Sequence, residues 1–226
     1  MRTIGVVTIG QSPRTDVVPE ISRLVCGANN SHDVTFLEKG ALDSLTADDI
    51  ERLAPKDEKD LLITRLQNGT EVAVDKQLII PRVQRAIAQL NDEGAEIIAL
   101  LCSDEFPPFR SAAPLILPAR LLSGVLSSIT IEGQLGVMVP AEKQVEAIAQ
   151  AYRRLGFPAI AVAASPYGSS EAITHEANRL AGKVALVVMD CFGYDLEMKK
   201  QVSKTTRTPV ILVRSVLAFT LSECVH

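Results

Sequence analysis

The chain has no Cys-x-x-Cys pair and only three histidines, His32, His175 and His226, among its 226 residues. That scarcity argues against a structural zinc site, and no metal is expected. No apolar run approaches the ~18 residues that a membrane span requires, so no membrane partner is expected either. A Gly-x-x-x-x-Gly-Lys loop and a dinucleotide fingerprint are both missing, which removes the usual phosphate cradles. So is a Gly-x-Ser-x-Gly elbow with a Ser-His-Asp order. Positive charge is in deficit: 23 Lys and Arg against 27 Asp and Glu give −4 at pH 7, which disfavours nucleic acid as a partner. The densest basic stretch, Lys199, Lys200, Lys204 and Arg207, lacks interleaved aromatics and reads as a solvated helix face. Met1 to Val6 runs into a strand without a signal-peptide pattern, so a cytoplasmic location is expected. There the four cysteines, at 26, 102, 191 and 224, stay reduced.

What is present is an ordinary soluble composition, 47% hydrophobic and 22% charged. The length suits two lobes of roughly 110 residues each. Short apolar runs alternate with segments of helical period, which predicts parallel sheets in an α/β fold. The first half reads as strand 4–9, helix 13–25, strand 34–38, a hairpin of 61–66 and 70–74, helix 76–93, a strand ending at Cys102, and strand 115–117. Asn68-Gly69 in the hairpin suits a type I′ turn. The second half repeats the order: strand 135–139, helix 141–155, strand 159–163, helix 170–181, strand 184–189, strand 209–213 and a C-terminal helix. Gly5 to Cys102 spans 97 positions and Gly136 to Cys191 spans 55, and the inserted hairpin explains most of the mismatch. The expected fold is therefore two pseudo-symmetric flavodoxin-like lobes, each with a parallel four-stranded sheet. Residues 1–118 with 214–226 make the first lobe and 119–213 the second.

Cys102 and Cys191 each close a buried apolar run, one in each half. In open α/β sheets ligands bind just past the carboxyl ends of strands, so both thiols sit where chemistry is expected. Any single free cysteine is often only a small buried hydrophobe, but packing gives no reason for the matched placement. Cys26 and Cys224 have no such setting and read as packing residues. Ser103 and Asp104 follow the first thiol, and Gly193 and Tyr194 lie just beyond the second, in turns suited to a cleft. After the first strand, Gly10, Gln11, Ser12 and Arg14 offer a tight turn, amide donors and a cation for an anion. The bland reading of this loop is that Ser12 caps a helix whose first residue is Pro13. Pro140 marks the matching turn of the second half, Ser165 and Tyr167 offer hydroxyls, and Arg214 is a further anion contact. His175 reads as a surface residue.

Thr8-Ile9-Gly10-Gln11-Ser12-Pro13-Arg14, Leu100-Leu101-Cys102-Ser103, Ala164-Ser165-Pro166-Tyr167 and Met189-Asp190-Cys191-Phe192-Gly193-Tyr194 resemble the AroM protein family across nearly the whole chain. That name follows an association with genes of aromatic amino-acid biosynthesis and implies no particular reaction. A more distant resemblance is to the aspartate/glutamate/hydantoin racemase superfamily, whose two lobes each place a cysteine at the cleft after a third strand. It implies that Cys102 and Cys191 are paired acid/base thiols. Those racemases carry Asn-Thr and Thr-His after their cysteines, where this chain has Ser103-Asp104 and Phe192-Gly193.

The resulting expectation is an isomerase or racemase for a small carboxylate, with no cofactor and with a homodimer left open. Two sulfurs roughly 7–10 Å apart leave room for one carbon between two proton-transfer partners. The alternatives are a one-cysteine decarboxylase or isomerase, and a non-catalytic small-anion-binding or regulatory protein.

Overall fold

The computed structural model describes residues 2–27 and 34–225; His32 and His226 lie outside them. The chain divides into two compact units, Met1–Leu121 with Leu217–His226, and Leu122–Val216.

The first unit holds a parallel sheet of β1 (Arg2–Thr8), β2 (Val34–Gly40), β5 (Ile97–Leu101) and β6 (Leu115–Ile116), in the order β2-β1-β5-β6. Every side chain of β5 is buried, which explains why its sequence is apolar throughout rather than alternating. Three helices belong to this unit before β5: α1 (Val18–Cys26), α2 (Ala47–Glu51) and α3 (Lys76–Asp92). Ile79, Val83, Ala86, Ile87 and Leu90 form the buried stripe of α3, joined with Val7, Ile98 and Leu100 in one core. Asp75 starts α3 as its N-cap, accepting from the N–H groups of Gln77 and Leu78.

The hairpin pairs β3 (Leu61–Arg65) with β4 (Glu71–Asp75). Its turn differs from the expected type I′. Leu66 N–H donates to Thr70 O at 2.8 Å and Gly69 N–H to Leu66 O at 2.9 Å, so three residues form the loop. Only Gly69, at φ 88°, takes the left-handed conformation, whereas a type I′ turn needs it at two positions.

After α4 (Pro118–Ser127), the second unit builds its sheet from β7 (Leu135–Val139), β8 (Ala159–Ala163), β9 (Leu186–Met189) and β10 (Val210–Leu212). The order is β8-β7-β9-β10, the same second-first-third-fourth arrangement as in the first unit. Its helices are α5 (Val145–Arg154), preceded by a 3-10 turn at Glu142–Gln144, then α6 (Ser170–Leu180) and α7 (Leu196–Thr206). Met138, Val162, Ile173, Leu180, Val187, Met189 and Leu212 fill its core. Val213–Val225 forms α8, which starts directly after β10.

One expected helix start is corrected. The helix read as 13–25 begins at Val18, so Ser12 and Pro13 belong to the loop and cap nothing. Cys224 is exposed and does not pack, while His175 is exposed on α6 as expected. No helix among the described residues is long and apolar enough to cross a membrane.

Candidate functional site

Parallel strands leave their last carbonyls and the following loops at one sheet edge, where the cysteine-bearing turn of each unit lies. In the first unit the loop after β1 is held by the chain itself. Gly10 N–H donates to Thr8 Oγ1 at 3.2 Å and Ser12 N–H to Asp43 Oδ1 at 2.7 Å. Gln11 N–H reaches Arg65 O at 3.3 Å, and Arg14 N–H reaches Glu38 Oε2 at 2.7 Å. An anion at the Ser12 or Arg14 amide has to displace a carboxylate already seated there. Asp43 also takes the Ser12 hydroxyl at 2.6 Å and Gly40 N–H at 2.7 Å. Gln11 joins the loop to the hairpin tip by accepting from Gln67 N–H at 3.0 Å.

Arg14, expected as an anion contact, has partners within its own chain. Its side chain is 5% exposed, and its guanidinium makes a two-pronged pair with Asp16, both distances 2.8 Å, and donates to Thr8 Oγ1 at 3.1 Å. Burial pushes the Asp16 carboxyl upward, but the Arg14 hydrogen bonds and charge hold it below the usual range. Glu38 goes the other way. Burial raises its pKa, with Asp16 and Asp43 adding to the rise against the Arg14 N–H and charge. Asp16, Glu38 and Asp43 carry no motif, and their grouping comes from three separate segments.

Past β5, Cys102 is half-buried and packs against the first core. The next turn is fastened by Lys76, whose Nζ lies 2.9 Å from Asp104 Oδ1 and 5.7 Å from the Phe106 ring centre. Lys76 escaped the sequence reading because it opens a helix 28 residues before Asp104.

In the second unit Cys191 is half-buried and follows β9 by two positions. The Gly193 N–H points back at its sulfur at 3.4 Å. Gly193 leaves no room for a side chain: a Cβ would lie 2.4 Å from Pro166 Cγ and 2.9 Å from Tyr167 Oη. The Ser165–Tyr167 turn, where Tyr167 N–H donates to Ser165 Oγ at 3.2 Å, is thereby brought against the Cys191 turn. Pro140 is half-buried at the end of β7.

Two other expected ligand contacts are buried. Tyr194 is fully buried in the second core, and its hydroxyl is shared between Val139 O at 2.8 Å and Ala164 O at 2.6 Å. Burial, then the nearby Cys191 and Asp190, pushes its pKa well above the usual value. Arg214 is 1% exposed and donates to the carbonyls of Phe192 and Gly193. Asp190, unremarked in the sequence, accepts from the deeply buried Tyr152 hydroxyl at 2.9 Å. Among the described residues no cluster of three or more His, Cys, Asp or Glu side chains can hold a metal.

Each unit thus ends its third strand in a half-buried thiol, held in a turn that other loops of the same unit fasten. Comparison with known proteins matches the fold. A family model described as AroM protein covers residues 4–225. Among solved structures, the aspartate racemase of Picrophilus torridus aligns with TM-score 0.64 at 16% identity, covering 100% of this chain and 94% of that one. A maleate cis-trans isomerase of Nocardia farcinica aligns with TM-score 0.65 at 15% identity, covering 99% and 92%. An allantoin racemase of Klebsiella pneumoniae gives 0.62 at 13% identity, covering 100% and 88%. Comparison with the curated proteins gives no match.

Proposed function

The chain belongs to the AroM protein family, and from that premise we propose that it is a cofactor-independent isomerase or racemase acting on a small carboxylate. One observation carries the reading: two sheets of identical strand order each end their third strand at a half-buried cysteine. The structural neighbours are a family of racemases and isomerases with this fold, which supports the same class of reaction.

In the proposed reaction one thiolate takes the proton from the carbon α to the carboxylate, and the C–H electron pair moves into an enolate. The opposite thiol delivers its proton to the other face of that carbon and becomes a thiolate. Protons balance with no redox partner, and the enzyme returns with its two thiols exchanged in state. The α proton is weakly acidic, so donors at the developing oxyanion supply much of the stabilisation. Ser103 beside Cys102, and Ser165 and Tyr167 beside the Cys191 turn, are the proposed donors. Gly10, Gln11 and Ser12 shape the wall of the site rather than charge it, because Asp43, Arg65 O and Thr8 already hold their amides.

The test is α-proton exchange in D2O, followed by proton NMR over a panel of α-amino, α-hydroxy and aryl-substituted acids. Exchange is expected for at least one acid, with Cys102→Ala and Cys191→Ala each lowering turnover at least 100-fold. If both variants keep the wild-type rate, the thiol mechanism is wrong. A one-thiol decarboxylase or isomerase is the second reading, favoured by the amide donor on the Cys191 sulfur. It predicts loss with Cys191→Ala alone. Saturable binding without exchange identifies a binding or regulatory protein instead.

A further inference from the structure

Arg214 is one of the largest fully buried side chains among the described residues, and its guanidinium is spent on main-chain carbonyls. Buried cations are costly unless hydrogen-bonded, and a guanidinium carries five donors to satisfy. Here Nε donates to Phe192 O at 3.0 Å, and Nη2 donates to Phe192 O and, at 3.3 Å, to Gly193 O. The Phe192 carbonyl and the Gly193 N–H are two ends of one peptide group. That same N–H faces Cys191 Sγ at 3.4 Å.

We infer that Arg214 is a positioning residue that holds the Gly193 N–H on the Cys191 sulfur by gripping and polarising the single peptide group between them. A donor on a peptide oxygen strengthens the N–H at the other end, and the effect grows where water is excluded. The peptide cannot rotate away. Pro166 and Tyr167 close the space beside Gly193, and Tyr194 is tied by its hydroxyl to the ends of β7 and β8. An N–H aimed at sulfur favours the thiolate over the thiol.

Other charges near this turn act in the opposite sense or are committed elsewhere. The Asp190 carboxylate precedes Cys191 and opposes a second negative charge, while its Oδ2 is held by the Tyr152 hydroxyl. Burial keeps the Tyr152 and Tyr194 hydroxyls protonated. Asp195 caps α7, accepting from Met198 N–H. Arg214 meets this turn through its bonds to Phe192 O and Gly193 O. Its role in turnover rests on the reading of Cys191 as an acid/base thiol, but its effect on the sulfur does not.

The experiment follows iodoacetamide alkylation against pH, peptide by peptide, without substrate. Cys102 in the same sample is the internal control. Arg214→Met is expected to slow Cys191 alkylation near neutral pH about tenfold, the effect of one pKa unit, and to leave Cys102 unchanged. Arg214→Lys, a charge without the planar fork, should fall between. Equal Cys191 profiles in wild type and Arg214→Met overturn the inference. Should Arg214→Met fail to fold, the wild-type Gly193 amide resonance decides. It is expected to titrate with the midpoint of Cys191 alkylation and to lose that step in Cys191→Ser. A Gly193 resonance indifferent to Cys191 ionisation overturns the inference as well. Loss of α-proton exchange with the relay intact overturns the proposed reaction alone.

Discussion

Glu38 accepts the Arg14 N–H from a partly buried position beside Asp16 and Asp43, so its ionised form is opposed by burial first and by two like charges second. A carboxyl whose folded pKa is raised stabilises the fold while it is protonated, and that contribution fades as pH rises through the folded pKa. Glu38→Gln keeps an acceptor for Arg14 N–H without the charge. It should raise Tm relative to wild type at pH 7 and give no gain at about pH 3 or below, where Glu38 is protonated in both states. A Tm difference that does not change with pH contradicts this account. Asp16 has the opposite sign. Its lowered pKa, set by Arg14 against the effect of burial, stabilises above the ordinary carboxylate range and is lost as pH falls through the folded value. The two carboxyls therefore pull in different directions through mild acid, and Glu38→Gln isolates one of them.

The hairpin is an insertion within the first unit that the second unit lacks, and it is docked rather than appended. Arg65 O accepts from Gln11 N–H, Gln67 N–H donates to the Gln11 side chain, and β3 passes so close to Gly10 that a Cβ would meet Arg65 O at 2.4 Å and Thr64 Oγ1 at 2.5 Å. One of these contacts is backbone, so relief requires the strand to move. Gly10→Ala should cost about 1–3 kcal/mol, the range for overpacking. At about 2–4 °C per kcal/mol for a chain of this size, Tm falls by several degrees. Protease nicking within residues 66–70 should rise as the hairpin loosens, and an unchanged Tm and digestion pattern would show that the docking is loose. The short helix α2 is a different case. Thr46 and Asp49 form a reciprocal capping box within four consecutive residues, so this start is set locally.

Across the whole molecule, the same strand order recurs in two units with separate cores, and the proposed reaction takes one thiol from each. The proposed reaction moves only protons, so it needs nothing that a chelator removes. Extended dialysis against EDTA should leave α-proton exchange within twofold of the untreated rate. A loss restored by a divalent cation would replace the thiol-only mechanism with a metal-assisted one.

Several features were decided by sequence alone because they depend on near neighbours. The apolar runs at 97–101 and 135–139 are buried at every position, and a strand covered on both faces can be read from five consecutive residues. The two cysteines past third strands, the hairpin, the α3 stripe and the α/β class followed from the same local patterns. The uses of the polar side chains did not. Ser12-Pro13 looks like a helix start, but Asp43, 31 residues on, takes the Ser12 N–H and hydroxyl, and the helix waits until Val18. Arg14 and Arg214 look like anion contacts, yet both are buried, one on Asp16 and Thr8 and the other on carbonyls more than twenty positions away. Tyr194 reads as a turn residue and serves as a core clamp on strand ends 55 and 30 positions earlier. A polar residue in a turn has the same local sequence whether it faces a ligand or its own chain. Only tertiary contacts choose between them, because the choice is made by a partner that folding brings from far along the chain and by the high cost of leaving a buried polar group unpaired.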